Sequence, residues 1–300
     1  MAHPRRIGTS VLAVLALLRL AGPLQAAAET AEHGQKQPVA PTCDRAQFRV
    51  VLDVGHTAEA PGAISARGVP EYEFNLRLAT LIEQDLIAAG FGKTILLVTD
   101  GPAQPGLVKR VTAANNASAD LFLAIHHDSV PDSMLEDWDY EGKPSHFSDR
   151  FKGHSLFVSY DNPHLKESLQ FGRLLGRQLK DRGLQYATQY TQEFMGRHRR
   201  ELIDADVGVY RYDQLVVLRS TEMPAVLLEA GSIINRDEEL AMATPERQAL
   251  IVAAVTDAVA AFCASRPPRP RTAHPTATEA AKPAGSPAVL APLLNLFKRP

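Results

Sequence analysis

Residues 51–71 read VLDVGHTAEAPGAISARGVPE. Together with Phe48, Arg49 and Val50, the run up to Val54 is short, β-branched and mostly apolar. A strand buried on both faces of a sheet has this composition, because neither face meets water. Gly55 turns the chain and His56 follows directly. Pro61, Gly62 and Gly68 mark a loop, after which Glu71 opens a new pattern. Phe74, Leu76, Leu78, Leu81, Ile82, Leu86 and Ile87 recur at helical spacing, and Gly90 is a stop signal. The stretch is therefore strand, loop and helix, with a histidine ending the strand and a carboxylate starting the helix.

The same rhythm continues outward. TILLVTD (94–100) predicts a second strand, LVKRVTAANNAS (107–118) a helix, and DLFLAIHHDS (120–129) a third strand ending in two histidines. SLFVSY (155–160), LVVLRS (215–220) and AVLLEAGS (225–232) predict three more strands, with helices over 164–182 and 245–263. Strands alternating with helices need crossover connections. The expected fold is α/β, a single domain with a mostly parallel twisted sheet of about six strands flanked by helices on both faces. Residues 130–153 break the rhythm. They are polar, carry the only tryptophan, Trp138, and read as a surface insertion suited to a lid or binding element. Arg197, His198, Arg199, Arg200 and Arg211 make a local basic cluster in the mixed segment 183–212.

The chain has 300 residues, 45% hydrophobic and 22% charged, which suits an ordinary globular domain with tails. Lys+Arg of 32 against Asp+Glu of 34 gives a net charge of −2. That balance lacks the concentrated basic footprint of a nucleic-acid partner, and none is expected. Residues 1–28 read as a secretory signal peptide, with Arg5 and Arg6 before an apolar heart from Leu12 to Leu18 and small residues at 26–28. Arg19 interrupts the apolar run, and a bilayer span needs about 20 apolar residues, so no stable membrane span is expected. The chain is read as exported. Residues 29–47 read as an irregular linker, 48–263 as the folded domain, and the Pro- and Ala-rich 264–300 as a disordered tail. Cys43 and Cys263 flank the folded region. In an oxidising compartment they can join the first strand to the last helix, and two separate thiols are the other reading.

Three apolar strands end in a ligand-type residue: His56, His126 and Glu229. In open α/β sheets the functional crevice lies outside the carboxyl ends of the strands, so residues distant in sequence converge there. Glu71 can reach the same crevice from its helix. Each alone has a bland reading, a loop histidine or a carboxylate serving a helix dipole. Together they make a set. Two histidines and a carboxylate form a common catalytic zinc site, which leaves a fourth position for water or substrate. A further carboxylate is then needed as general base and acid, and Glu229 is the candidate. His127 rivals His126, and since neighbours on a strand point to opposite faces, one of the two is expected to ligate. Asp53 and Asp128 are candidates for orienting the ligands. There is no H-E-x-x-H or G-x-S-x-G, and Gly92-Lys93-Thr94 lacks the first glycine of a P-loop, where Ile87 stands.

With these residues in view, the sequence resembles the zinc-dependent N-acetylmuramoyl-L-alanine amidases of the Amidase-3 family. Three blocks carry the resemblance: LDVGHTAEAPGAISARGVPEYEFNL, RVTAANNASADLFLAIHHD and PAVLLEAGSIIN. They span about residues 48–262. The resemblance implies His56, Glu71 and His126 as the ligands of one zinc ion and Glu229 as the catalytic glutamate. It implies hydrolysis of the amide joining N-acetylmuramic acid to L-alanine in peptidoglycan, and a place in the periplasm or cell envelope. Ser232 stands where the family has Phe, Asp128 where it has Asn, and His127 where it has a small residue. Some family members carry an inserted helix that occludes the site until an activator protein displaces it. Residues 130–153 stand where such an insertion would act. The competing readings are a zinc peptidase on free peptides and a non-catalytic cell-wall binding module.

Overall fold

Val50–Val54 forms β1, and all five of its residues are buried. In this computed structural model, residues 43–266 are described; the signal peptide, most of the linker and nearly all of the tail expected from the sequence lie outside them. After β1 come α1 (Glu71–Ala88), β2 (Ile95–Leu97), α2 (Ala103–Ala117) and β3 (Leu121–Asp128). Next are β4 (Glu136–Tyr140), β5 (Lys143–Phe147), β6 (Ser155–Val158), α3 (Leu165–Asp181), β7 (Glu201–Asp204) and β8 (Val209–Arg211). The chain closes with α4 (Val216–Arg219), β9 (Ala225–Ser232), α5 (Arg236–Ala243) and α6 (Pro245–Ala264).

Among the described residues the main sheet has seven strands in the order β2-β1-β3-β9-β6-β8-β7. β1 is parallel to β2 and to β3, β3 to β9, and β6 to β8. Only β6 with β9 and β7 with β8 run antiparallel. The side-chain period of two sorts the strand residues. Leu52, Leu123, Ile125, Val226 and Leu228 pack with Leu78, Ile82, Phe171, Val255 and Phe262 on the face covered by α1, α3 and α6. Val51, Phe122, Ala124 and Leu227 pack with Ala114, Tyr190, Tyr210 and Leu218 on the face covered by α2 and α4. The α/β layers expected from the sequence are thus present on both faces.

Two local readings change. Residues 215–220, expected as a strand, close a single helical turn, α4. A short apolar run has no periodicity that separates strand from buried helix. Here Asn162 decides, because its Nδ2 donates to the carbonyls of Leu218, Thr221 and Met223 and pins the turn. The insertion 130–153 is not featureless: β4 and β5 pair as an antiparallel hairpin, with Trp138 opposite Ser145.

α6 is long and apolar enough to cross a bilayer by length and composition. It is a core helix, with Ile251, Val255, Val259 and Phe262 buried against the sheet. Cys43 and Cys263 form a disulfide with Cα atoms 5.3 Å apart, tying the segment before β1 to the end of α6.

Candidate metal centre and active site

The parallel pairing of β1, β3 and β9 brings their carboxyl ends side by side. His126 on β3 is in direct register with Glu229 on β9, so the two side chains leave the same face of the sheet. β1 ends one step away, and Gly55 N donates to Ile125 O at 3.0 Å, bringing the following loop against the end of β3. The loop then folds back on itself. Ile64 bridges to Pro70, and Glu71 N donates to Ala63 O at 2.8 Å. That return places the first residue of α1 over the strand ends.

The result is a close triad. His56 Nε2 lies 2.9 Å from Glu71 Oε2, and His126 Nδ1 lies 3.0 Å from Glu71 Oε1. One donor atom from each of the three residues lies within 4.8 Å of the others. Glu71 is nearly inaccessible, while the His56 side chain is 31% exposed and that of His126 16%. The cluster therefore has a closed back and an open front. Burial by itself would raise the Glu71 pKa, but hydrogen bonds and charge from His126 and His56 hold it well below the carboxylate range.

Glycine is required at two places around this triad. A Cβ at Gly55 would lie 2.5 Å from the His126 ring. A Cβ at Gly62, where φ is +81°, would lie 2.4 Å from Glu71 Oε2 and 2.6 Å from His56 Cδ2. His56 itself has φ +66°, the left-handed region that a non-glycine residue rarely occupies. Such strain persists only where surrounding contacts over-determine it. Arg110 supplies them. It is buried on α2 and donates to the carbonyls of Val54 and His56 and, at 3.0 Å, to Asp53 Oδ1.

Glu229 completes the cluster. Its Oε2 is buried without a hydrogen-bond partner among the described residues. Burial pushes its pKa well above the carboxylate range, and the nearby Asp128 and Glu71 push it further. Asp128 is raised to about 7 by burial, against hydrogen bonds from the Tyr190 hydroxyl at 2.7 Å and from Ser129 N. A carboxyl group whose pKa is raised by burial holds a proton more readily than a free one, which suits it to proton transfer.

Asp53 and Asp128 are not the ligand-orienting carboxylates expected from the sequence. Among the described residues neither hydrogen-bonds a ring nitrogen of His56 or His126. Asp53 is taken by Arg110, and Asp128 by Tyr190 and Gln189. His127 points away from the triad to the face of α1, where Nδ1 meets Asn75 Oδ1 at 2.8 Å. Arg110 and Asn75 escaped the residue-level reading. Asn75 stands four residues after Glu71 and so shares its helix face, a spacing visible in the sequence. Arg110 opens the second matching block, RVTAANNASADLFLAIHHD, but its role is not legible there because its contacts cross from α2 to β1.

The profile of the N-acetylmuramoyl-L-alanine amidase family Amidase_3 matches residues 50–261. The chain belongs to this family. It is 24% identical over 267 residues to N-acetylmuramoyl-L-alanine amidase AmiA of Escherichia coli, covering 83% of this chain and 88% of that protein. It is 22% identical over 213 residues to N-acetylmuramoyl-L-alanine amidase Rv3717 of Mycobacterium tuberculosis, covering 69% and 75%. Among solved structures, the amidase Ami1 of Mycobacterium smegmatis superposes with a TM-score of 0.56 at 20% identity, covering 73% of this chain and 98% of that one. The fold is that of the amidases, and the chain is an N-acetylmuramoyl-L-alanine amidase, which makes peptidoglycan its substrate class.

Proposed function

We propose that His56, Glu71 and His126 hold one zinc ion, and that Glu229 is the proton carrier for hydrolysis of the amide between N-acetylmuramic acid and L-alanine. The observation that carries this reading is the convergence of two imidazole nitrogens and a carboxylate within 4.8 Å. The donor set fits zinc: three N/O ligands on a rigid base with an open front is the composition of a catalytic site. Zinc held there supplies Lewis acidity toward the scissile carbonyl and the attacking water. The protein does the rest. Glu229, in register beside His126, removes a proton from the water and later delivers it to the leaving amine of L-alanine. Glu229 is half-buried, with its Oε2 out of contact with solvent.

The test is a pair of variants. Glu229→Gln is expected to keep one zinc per chain and lose at least about 10²-fold in turnover on purified cell wall, the usual worth of a general base. His56→Ala is expected to lose zinc and turnover together. An active Glu229→Gln protein removes the assignment. New L-alanine amino termini with intact muramic acid mark amidase action, whereas cleavage inside the stem peptide would mark a peptidase.

The disulfide Cys43–Cys263 and the signal-like residues 1–28 support export to the periplasm or cell envelope. The segment 130–153 supports a regulatory role. Its hairpin is seated on the loop between His56 and Glu71, with Trp138 Nε1 donating to Ala66 O at 3.0 Å. An activator protein is the proposed partner that shifts this hairpin.

A further inference from the structure

His127 is next to a proposed ligand, yet its ring lies on the other side of the strand. It is 3% exposed and packs 5.5 Å from the Phe74 ring. Its Nδ1 faces Asn75 Oδ1 at 2.8 Å. Asn75 is fully buried, and its Nδ2 faces Glu71 Oε1 at 3.1 Å and Gly55 O at 3.2 Å. The donor inventory leaves one consistent assignment. Glu71 Oε1 and Gly55 O can only accept, so Nδ2 must point at them. Asn75 Oδ1 then accepts, and the proton must sit on His127 Nδ1. The backbone N–H of His127 adds a second tie to Glu71 Oε1 at 3.3 Å.

We propose that His127 is a positioning residue: through Asn75 it fixes the carboxylate of Glu71 and the turn at Gly55 that delivers His56. The proposal rests on the reading of His56, Glu71 and His126 as metal ligands. Without a donor at position 127, the fully buried Asn75 Oδ1 loses its partner and the amide is held only through Nδ2. A buried, unpaired amide oxygen is costly, and the shift that relieves it loosens the Nδ2 contacts to Glu71 Oε1 and Gly55 O. Groups that hydrogen-bond metal ligands, as Asn75 does Glu71, typically change metal affinity 10- to 100-fold when removed, and His127 acts through that group. The ring also borders a cavity of about 10 Å³ lined by Arg77, Gln248 and Met242, about the volume that one water needs.

An isosteric pair tests it. The Nδ2 of asparagine occupies the same branch position as histidine Nδ1, so His127→Asn keeps a donor, whereas His127→Leu has nearly the same shape and none. Zinc affinity is measured on the full chain by competition with a chromophoric chelator, alongside the visible spectrum of the Co²⁺-loaded protein and the Tm of the metal-free form. His127→Leu is expected to bind zinc about tenfold more weakly, with altered Co²⁺ bands, and His127→Asn to recover most of that loss. His127→Phe, which preserves the packing on Phe74, is expected to behave like the leucine variant and serves if the latter does not fold. A purely structural histidine would lower Tm in all three and leave zinc affinity unchanged, and that result overturns the proposal. So does an asparagine variant no better than leucine. If His56→Ala binds zinc as wild type does, the metal reading and this proposal both fall. If it loses zinc while His127→Leu does not, only this proposal falls.

Discussion

His56 holds a backbone conformation that costs a residue with a side chain of order 1 kcal/mol. Arg110 keeps it there by capping its carbonyl, with Asp53 as the buried counterion. Arg110→Met leaves Asp53 buried and unpaired. It is expected to destabilise the protein by about 3–5 kcal/mol and to lower its zinc content, checked by denaturant unfolding and metal analysis. Asp53→Asn retains the carbonyl contacts and is expected to cost less and keep zinc. Gly62 and Gly68 give a second contrast, since both have positive φ, but a Cβ at Gly68 meets nothing within 4 Å. Gly68→Ala is expected to lose about 1 kcal/mol of stability and keep activity. Gly62→Ala is expected to lose activity and zinc, because its methyl would displace both His56 and Glu71. Equal activity in the two variants would break this account of the loop.

At the scale of elements, the site depends on register. A one-residue slip of β9 against β3 would send Glu229 to the opposite face from His126. Both strands are buried on both faces with residues alternating between the two cores, and the same slip would exchange the contents of those cores. The hairpin β4–β5 is attached differently. Trp138 stacks on Tyr140 and bonds Ala66, while Arg236 lies over Phe147 and pairs with Asp149. These contacts seat the hairpin on the loop and on the start of α5 without entering either main core. Replacing residues 136–147 by a short Gly/Ser linker is expected to raise basal activity on cell wall while the Tm stays within a few degrees. Unchanged activity would remove the regulatory role given to this segment.

For the whole molecule, the disulfide and the buried histidines set the working conditions. Cys43 and Cys263 are 220 residues apart, so their bond restricts almost the entire described chain when unfolded. In the chain-entropy picture that is worth about 5 kcal/mol. The Cys43→Ser, Cys263→Ser double variant is expected to melt roughly 10 °C lower, and reduction of the wild type should match it. His154 is 1% exposed, and burial, aided by the charge of Arg247, pushes its pKa down to about 4. The unfolded chain takes up that proton below about pH 6.5, while the native state refuses it until near pH 4. The stabilisation is therefore complete above pH 6.5 and lost as pH falls toward 4, by roughly 3 kcal/mol for this residue. His154→Gln is expected to flatten that slope in urea titrations between pH 7 and 4.5.

The sequence by itself determined the layers and the chemistry-bearing positions. Apolar runs with period two or 3.6 are local signals, and they located β1, α1, β3, α3, β9 and α6 and the strand-end residues His56, His126 and Glu229. The three matching blocks supplied the family. Tertiary structure decided what depends on contacts across the chain. Residues 215–220 became a helical turn because Asn162 caps them, and the polar stretch after β3 became a hairpin because Trp138 and Arg236 have partners elsewhere. It also placed the ring of His126, and not that of His127, beside His56 and Glu71. Neighbouring strand residues always part to opposite faces, but which face carries the site depends on where α1 returns Glu71. The same packing turned His127 from a rival ligand into the partner of Asn75 and made Arg110 the clamp on His56. No spacing in the sequence encodes those contacts, because each joins residues more than fifty positions apart.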